Sequence, residues 1–122
     1  MHLALWVLQV ITGVYWVAIG VTHFTLPEGL PAQMSWMYEL PPLLHYVSGT
    51  AEILGGLGLI LPGVLKMQTR LTPLAAAGLA LVMVLAIVWH LNRGEMQQIA
   101  GNVVFAAVMA FIAYGRWKLR PL

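Results

Sequence analysis

The sequence predicts an all-α fold, a transmembrane four-helix bundle. Three observations predict it. Hydrophobic residues make up 61% of the 122 and charged residues only 8%, against about 45–50% and about 25% in a soluble domain. That charge is too sparse to cover a water-facing surface, and the hydrophobicity excludes disorder. The charged residues and prolines then divide the chain into four apolar stretches, each near the ~20 residues that cross a bilayer as a helix. Finally, hydrocarbon offers backbone groups no water, so each stretch must satisfy its own hydrogen bonds as a helix. The whole chain, 1–122, reads as one membrane domain.

The first span, 3–24, carries no charge and ends before Pro27. It has no basic residue ahead of it and no small-residue cleavage pattern after it, so it is expected to stay as a span rather than act as a signal peptide. The second, 43–61, follows Pro41 and Pro42, stops at Pro62 and Gly63, and holds one charge, Glu52. The third, 71–91, is charge-free and ends at Asn92, Arg93 and Gly94; Pro73 sits in its first turn, where a missing N–H is tolerated. The fourth, 99–115, is the shortest and runs into Arg116, Lys118 and Arg120.

Five of the six cations fall on one side of such a bundle: Lys66, Arg70, Arg116, Lys118 and Arg120. The other side holds Arg93 beside Glu28, Glu39 and Glu95. The positive-inside rule then places both termini in the cytoplasm and the first and third loops outside. The long outward loop, 25–42, mixes prolines with Met34, Trp36, Met37 and Tyr38. That composition fits a segment lying at the membrane interface, as an anchor or as a lid over the bundle.

Several function classes fall away. There is no cysteine, so disulfides, thiolate metal sites, covalent haem attachment and dithiol electron relays are excluded. A net charge of +2 cannot build a phosphate-tracking groove, so no nucleic-acid partner is expected. No two histidines or carboxylates stand at the three- or four-residue helical spacing that brings two ligands to one ion, so no metal is expected. The core stripes are too tight for a haem.

Residues three and four apart share a helix face. The stripes are Gly13, Trp16, Gly20 and His23 in the first span, and His45, Gly49, Glu52, Gly56 and Gly63 in the second. The third has Thr72, Ala76, Leu79, Met83, Ala86 and His90, and the fourth Asn102, Ala106, Met109 and Ala113. Small residues let membrane helices approach closely, so these faces are expected to meet inside the bundle, although the glycine spacing also suits a dimer face. His23, His45, His90 and Asn102 all fall toward the outer end, and the cytoplasmic half of the bundle is expected to hold no comparable polar set. Glu52 lies about 13 Å below the start of its helix, near the midplane. An unpaired charge there costs at least a few kcal/mol, and intramembrane carboxylates usually mark function. No span holds a Lys or Arg to pair with it. Asn102, Tyr15, Ser48, Thr50 and the histidines are its available partners. His45 shares its face but is about 10 Å along the axis, too far to touch. Taken alone, each histidine also fits a plain interfacial role. Trp16 and Tyr15 could wall a flat apolar ligand, or simply pack.

The segment Gly49-Thr-Ala-Glu52-Ile-Leu-Gly55-Gly56-Leu-Gly-Leu-Ile-Leu-Pro62-Gly63 resembles the second helix of the DoxX and DoxX-like family, where a glycine, a Glu three residues on and a glycine pair are typical. The run Leu79 to His90, with Met83 and Ala86, is similar to that family's third helix, and Gly20 to Phe24 to the end of its first. The resemblance covers nearly the full chain. It implies a four-helix membrane protein in a bacterial or archaeal plasma membrane, with Glu52 and His90 as site positions. The family takes its name from a subunit of a quinol-oxidising, thiosulfate-linked complex in archaea, and other members are associated with oxidative-stress complexes. It implies no reaction for this chain, which has no soluble domain.

The leading functional expectation is a pocket in the outer half of the bundle that binds a quinone or similar apolar molecule. Glu52, His23, His45, His90, Asn102, Trp16 and Tyr15 are its candidate residues. The chain would then support a membrane redox or stress-response complex as an accessory subunit, with the chemistry completed by a redox partner. The alternative is a non-catalytic scaffold or assembly subunit, whose polar core is structural and whose glycine faces serve a homodimer or partner. A transporter is disfavoured, since there is no inverted-repeat or broken-helix signal.

Overall fold

A computed structural model describes residues 1–122. Four helices long and apolar enough to cross a membrane form the bundle: α1 (His2–Thr25), α2 (Pro42–Leu65), α3 (Leu71–Arg93) and α4 (Met96–Tyr114). A short 3₁₀ helix, Ala32–Glu39, lies between α1 and α2 and is called the lid below. A π-helical segment, Gly115–Leu119, extends α4. There are no strands. Leu3, Ile11, Val14, Leu54, Leu81, Leu85 and Val104 are exposed around the bundle. Apolar side chains facing outward along every helix fit lipid as the surrounding solvent, and the chain is a multi-pass integral membrane protein.

α1 and α2 cross at their glycines. A Cβ on Gly13 would stand 2.9 Å from the Gly56 carbonyl, and one on Gly20 2.8 Å from the Gly49 carbonyl. Each pair reads forward in α1 and backward in α2 by two turns, the register of antiparallel helices. Gly63 continues it against Trp6. The glycine stripes are therefore used inside one chain, where backbones meet directly. α2 packs on α3 through Gly55 against Leu79 and Gly58 against Ala75. The buried apolar core runs through Leu5, Trp16, Leu59, Ala76, Leu79, Met83, Met109 and Ile112. α1 and α4 touch least of the neighbouring pairs.

Three sequence expectations change. α2 does not stop at Pro62 but continues to Leu65. A proline removes the hydrogen bond to the carbonyl four residues back, here that of Gly58. The Thr72 hydroxyl on α3 donates to that carbonyl at 2.8 Å, which satisfies it from outside and lets the helix continue. α4 begins at Met96, not 99, and its π-helical extension carries the chain to Leu119. The half of the bundle holding the termini also has a polar set of its own, where none was expected. Gln9 and Arg116 are both buried there. Gln9 donates to the Leu59 carbonyl at 2.8 Å and accepts from Arg116 Nε at 2.5 Å. Arg116 Nη1 reaches His2 Nδ1 and the Arg120 carbonyl at 2.9 and 2.8 Å. Arg116 is thus held by neutral acceptors, with the Trp6 ring 5.6 Å from its guanidinium carbon.

Candidate functional site

The opposite, lid end of the bundle holds a cavity of about 390 Å³ walled by all four helices and the lid. Its apolar wall includes Ile19, Leu44, Val47, Val82, Met83, Leu85 and Phe105. Among the sequence candidates, Tyr15, Trp16, His23, Glu52, His90 and Asn102 line it, and Ser48 and Gln98 join them. His45 does not; it is buried behind His23.

The register of α1 on α2 sets the central group. Gly20 and Gly49 bring the backbones together, and one turn beyond them His23 and His45 meet, with Nδ1 atoms 2.9 Å apart. The other nitrogen of His23, Nε2, lies 3.1 Å from Glu52 Oε2. That contact is short but off hydrogen-bond alignment, so Oε2 has no hydrogen-bond partner. His23 therefore bridges Glu52 and His45, the two residues that helix geometry alone keeps apart. All three are buried.

The cavity holds two more orphans. Trp16 Nε1 and Asn102 Nδ2 are buried without a hydrogen-bond partner. A buried polar group left unpaired costs about 1–3 kcal/mol, and native structures keep few of them. Here three unpaired atoms fall on residues of one cavity.

His90 is committed elsewhere. Its Nδ1 lies 2.9 Å from Glu95 Oε1, to which Arg93 Nε also donates at 2.9 Å. Burial opposes ionisation of Glu95, but the hydrogen bonds from His90 and Arg93 win and hold its carboxyl below the usual range. Arg93 also pairs with Glu39 on the lid, and its guanidinium carbon sits 4.7 Å over the Trp89 ring. Tyr15 stacks on Phe105 across the α1–α4 seam, ring centroids 4.7 Å apart and planes within 8°.

The lid closes the cavity from above. Trp36 packs edge-on against His90 and Trp89, centroids 4.8 and 5.9 Å away. Met37 is fully buried, and its carbonyl lies 2.8 Å from His45 Nε2. Gln98 donates to the Gln33 carbonyl at 3.0 Å. Through these contacts the segment between α1 and α2 packs over this end of the bundle.

Gln9, Arg116 and the lid carbonyl of Met37 were absent from the sequence candidates. Gln9 had a signal: it stands four residues before Gly13 on the stripe that runs to His23. Arg116 had none, since a cation after a span reads as a flank. A backbone carbonyl leaves no trace in residue identity.

No curated protein and no solved structure matches the chain. A family model described as the DoxX-like family matches residues 7–112, from the first turns of α1 to the last turn of α4, and the chain belongs to that family.

Proposed function

We propose that the cavity binds a quinone or a similar apolar molecule with a hydrogen-bonding head group. The protein then serves a membrane redox or stress-response complex as an accessory subunit. The observation that carries this reading is the set of unpaired atoms, Trp16 Nε1, Asn102 Nδ2 and Glu52 Oε2, on one cavity's lining. Two of them are N–H donors that want a carbonyl oxygen, which a quinone head group supplies. The size supports it too: about 390 Å³ lies in the range of small-molecule pockets, which are mostly apolar with a few placed polar groups.

Topology belongs to the same proposal. The exposed cations Lys66, Arg70, Lys118 and Arg120 cluster at the terminal end. That asymmetry supports cytoplasmic termini and a cavity in the outer half of a bacterial or archaeal plasma membrane. A scaffold with a purely structural polar core is the weaker reading, because it leaves the three atoms unpaired at a cost. The glycine stripes are also spent within the chain and offer no free dimer face.

The test is lipid extraction from the purified protein, with thermal unfolding measured against added quinones. Co-purified quinone and a rise in unfolding temperature that is lost in Asn102→Leu are expected. Absence of both would remove the proposal.

A further inference from the structure

Ligand binding leaves one part of the lid end unused. His45 is buried outside the cavity wall, and both its ring nitrogens are engaged: Nε2 with the Met37 carbonyl at 2.8 Å, Nδ1 with His23 Nδ1 at 2.9 Å. A carbonyl only accepts, so Nε2 of His45 carries the hydrogen. In neutral His45, Nδ1 is then the acceptor, and His23 Nδ1 is the donor. A neutral His23 consequently turns an acceptor, Nε2, toward Glu52 Oε2 at 3.1 Å. A protonated Glu52 completes the series, and every donor in it points from the cavity toward the lid.

We propose that Glu52, His23 and His45 form a proton relay between the cavity and the lid, gated by the Met37 carbonyl. A proton arriving on Glu52 Oε1 allows the Oε2–H bond to break as a bond forms to His23 Nε2. The His23 Nδ1–H bond breaks in turn as one forms to His45 Nδ1. Glu52 and His23 end neutral, and the charge rests on His45. No electron moves. The one misaligned joint, Glu52 to His23, closes by rotation about the last side-chain torsion of Glu52, which is soft.

The gate follows from what faces His45 Nε2. An amide carbonyl accepts a hydrogen bond but does not take the proton, so with the lid seated the proton stops there. Lifting the lid replaces that carbonyl with water, which accepts it. The lid is seated by Arg93 on Glu39 and by Gln98 on the Gln33 carbonyl, both outside the relay. Of the other titratable groups on the cavity, His90 is held by Glu95 at 2.9 Å, and Tyr15, which feels the charge of Glu52, stacks on Phe105 in the α1–α4 seam. The relay extends the binding proposal by giving the occupant of the cavity a proton route.

The experiment uses the full chain in lipid nanodiscs without added ligand. The infrared band of a protonated carboxyl is followed after transfer to deuterium oxide, and assigned to Glu52 by its loss in Glu52→Gln. Exchange at least tenfold faster in Arg93→Gln is expected, and at least tenfold slower in His23→Phe. No Glu52 carboxyl band overturns the protonation pattern. An unchanged rate in Arg93→Gln overturns the gate, and an unchanged rate in His23→Phe overturns the relay. Should His23→Phe fail to fold, nitrogen-labelled histidine in the unmodified chain is measured instead. A scalar coupling between the His23 and His45 Nδ1 atoms is expected, and its absence overturns the relay. These readouts need no ligand, so they fail independently of quinone binding.

Discussion

A single residue carries more than its type announces. Gln9 is one amide in an otherwise apolar run, yet it joins α1 to α2 through the Leu59 carbonyl and to the π-helical segment through Arg116. Replacing it by leucine strips a buried cation of its Nε acceptor and removes the side-chain bond from α1 to the Leu59 carbonyl of α2. Hydrogen bonds to charged groups contribute about 1.5–3 kcal/mol each. Gln9→Leu is therefore expected to destabilise the protein by roughly that amount, read as a lower unfolding midpoint in detergent titration. At the same scale, Glu52, His23 and His45 were legible as polar groups out of place in apolar helices. Their connection through His23 was not. It depends on the relative rotation of α1 and α2, which identity and spacing on one helix do not encode.

Among the elements, the close-packing faces of α1 and α2 were the most legible, because glycines two turns apart mark where membrane helices meet; that the two faces meet each other rather than a second copy is set by the fold. The pairing makes a sharp contrast between glycines of like appearance. At Gly56 a Cβ would stand 2.6 Å from the Gly13 carbonyl, a backbone atom that cannot yield. Gly56→Ala should cost about 1–3 kcal/mol, the usual range for overpacking. At Gly78 a Cβ meets nothing within 4 Å, and Gly78→Ala should be neutral or stabilising by up to about 1 kcal/mol through helix propensity. Thermal midpoints of the two variants, compared with the unmodified chain, check both. The lid was the least legible element. Its aromatics marked it as interfacial, but its seating depends on Arg93 reaching Glu39 across more than fifty residues of chain, and on a backbone carbonyl.

The turn between α3 and α4 adds a pH dependence to the lid's attachment. Burial acts against the ionised form of Glu95, but hydrogen bonds from His90 and Arg93 hold its carboxyl below the ordinary value in the folded chain. A carboxyl lowered on folding stabilises above its unfolded pKa, and that contribution is lost as pH falls through the folded one. Acidification into and below the carboxylate range should therefore loosen the turn and, through Arg93, the lid. Measured against the intrinsic exchange rate at each pH, the protection of the amides around Gly94 and of lid amides should fall together on acidification. In Glu95→Gln the acid-dependent loss of protection around Gly94 should be absent. A loss of equal size there in the variant would place the titrating group elsewhere.

At the scale of the whole molecule, the two ends of the bundle are built on different chemistry. The terminal end buries Arg116 among neutral acceptors and exposes four other cations. The lid end buries Glu52 and three histidines and exposes Glu28 and Glu39. This asymmetry was readable from the sequence because orientation follows the count of cations near the span ends. Burial of Arg116 lowers that count by one without reversing it, since Arg93 is alone at the other end. The chain has no cysteine, so a single introduced thiol reports its side of the membrane without background. Glu28 and Lys118 are both exposed, one at each end. In intact cells, Glu28→Cys should react with a membrane-impermeant maleimide, and Lys118→Cys should react only after permeabilisation. The reverse pattern would place the cavity in the cytoplasmic half. The relay would then carry protons toward the cytoplasm, and its gate would open to that compartment.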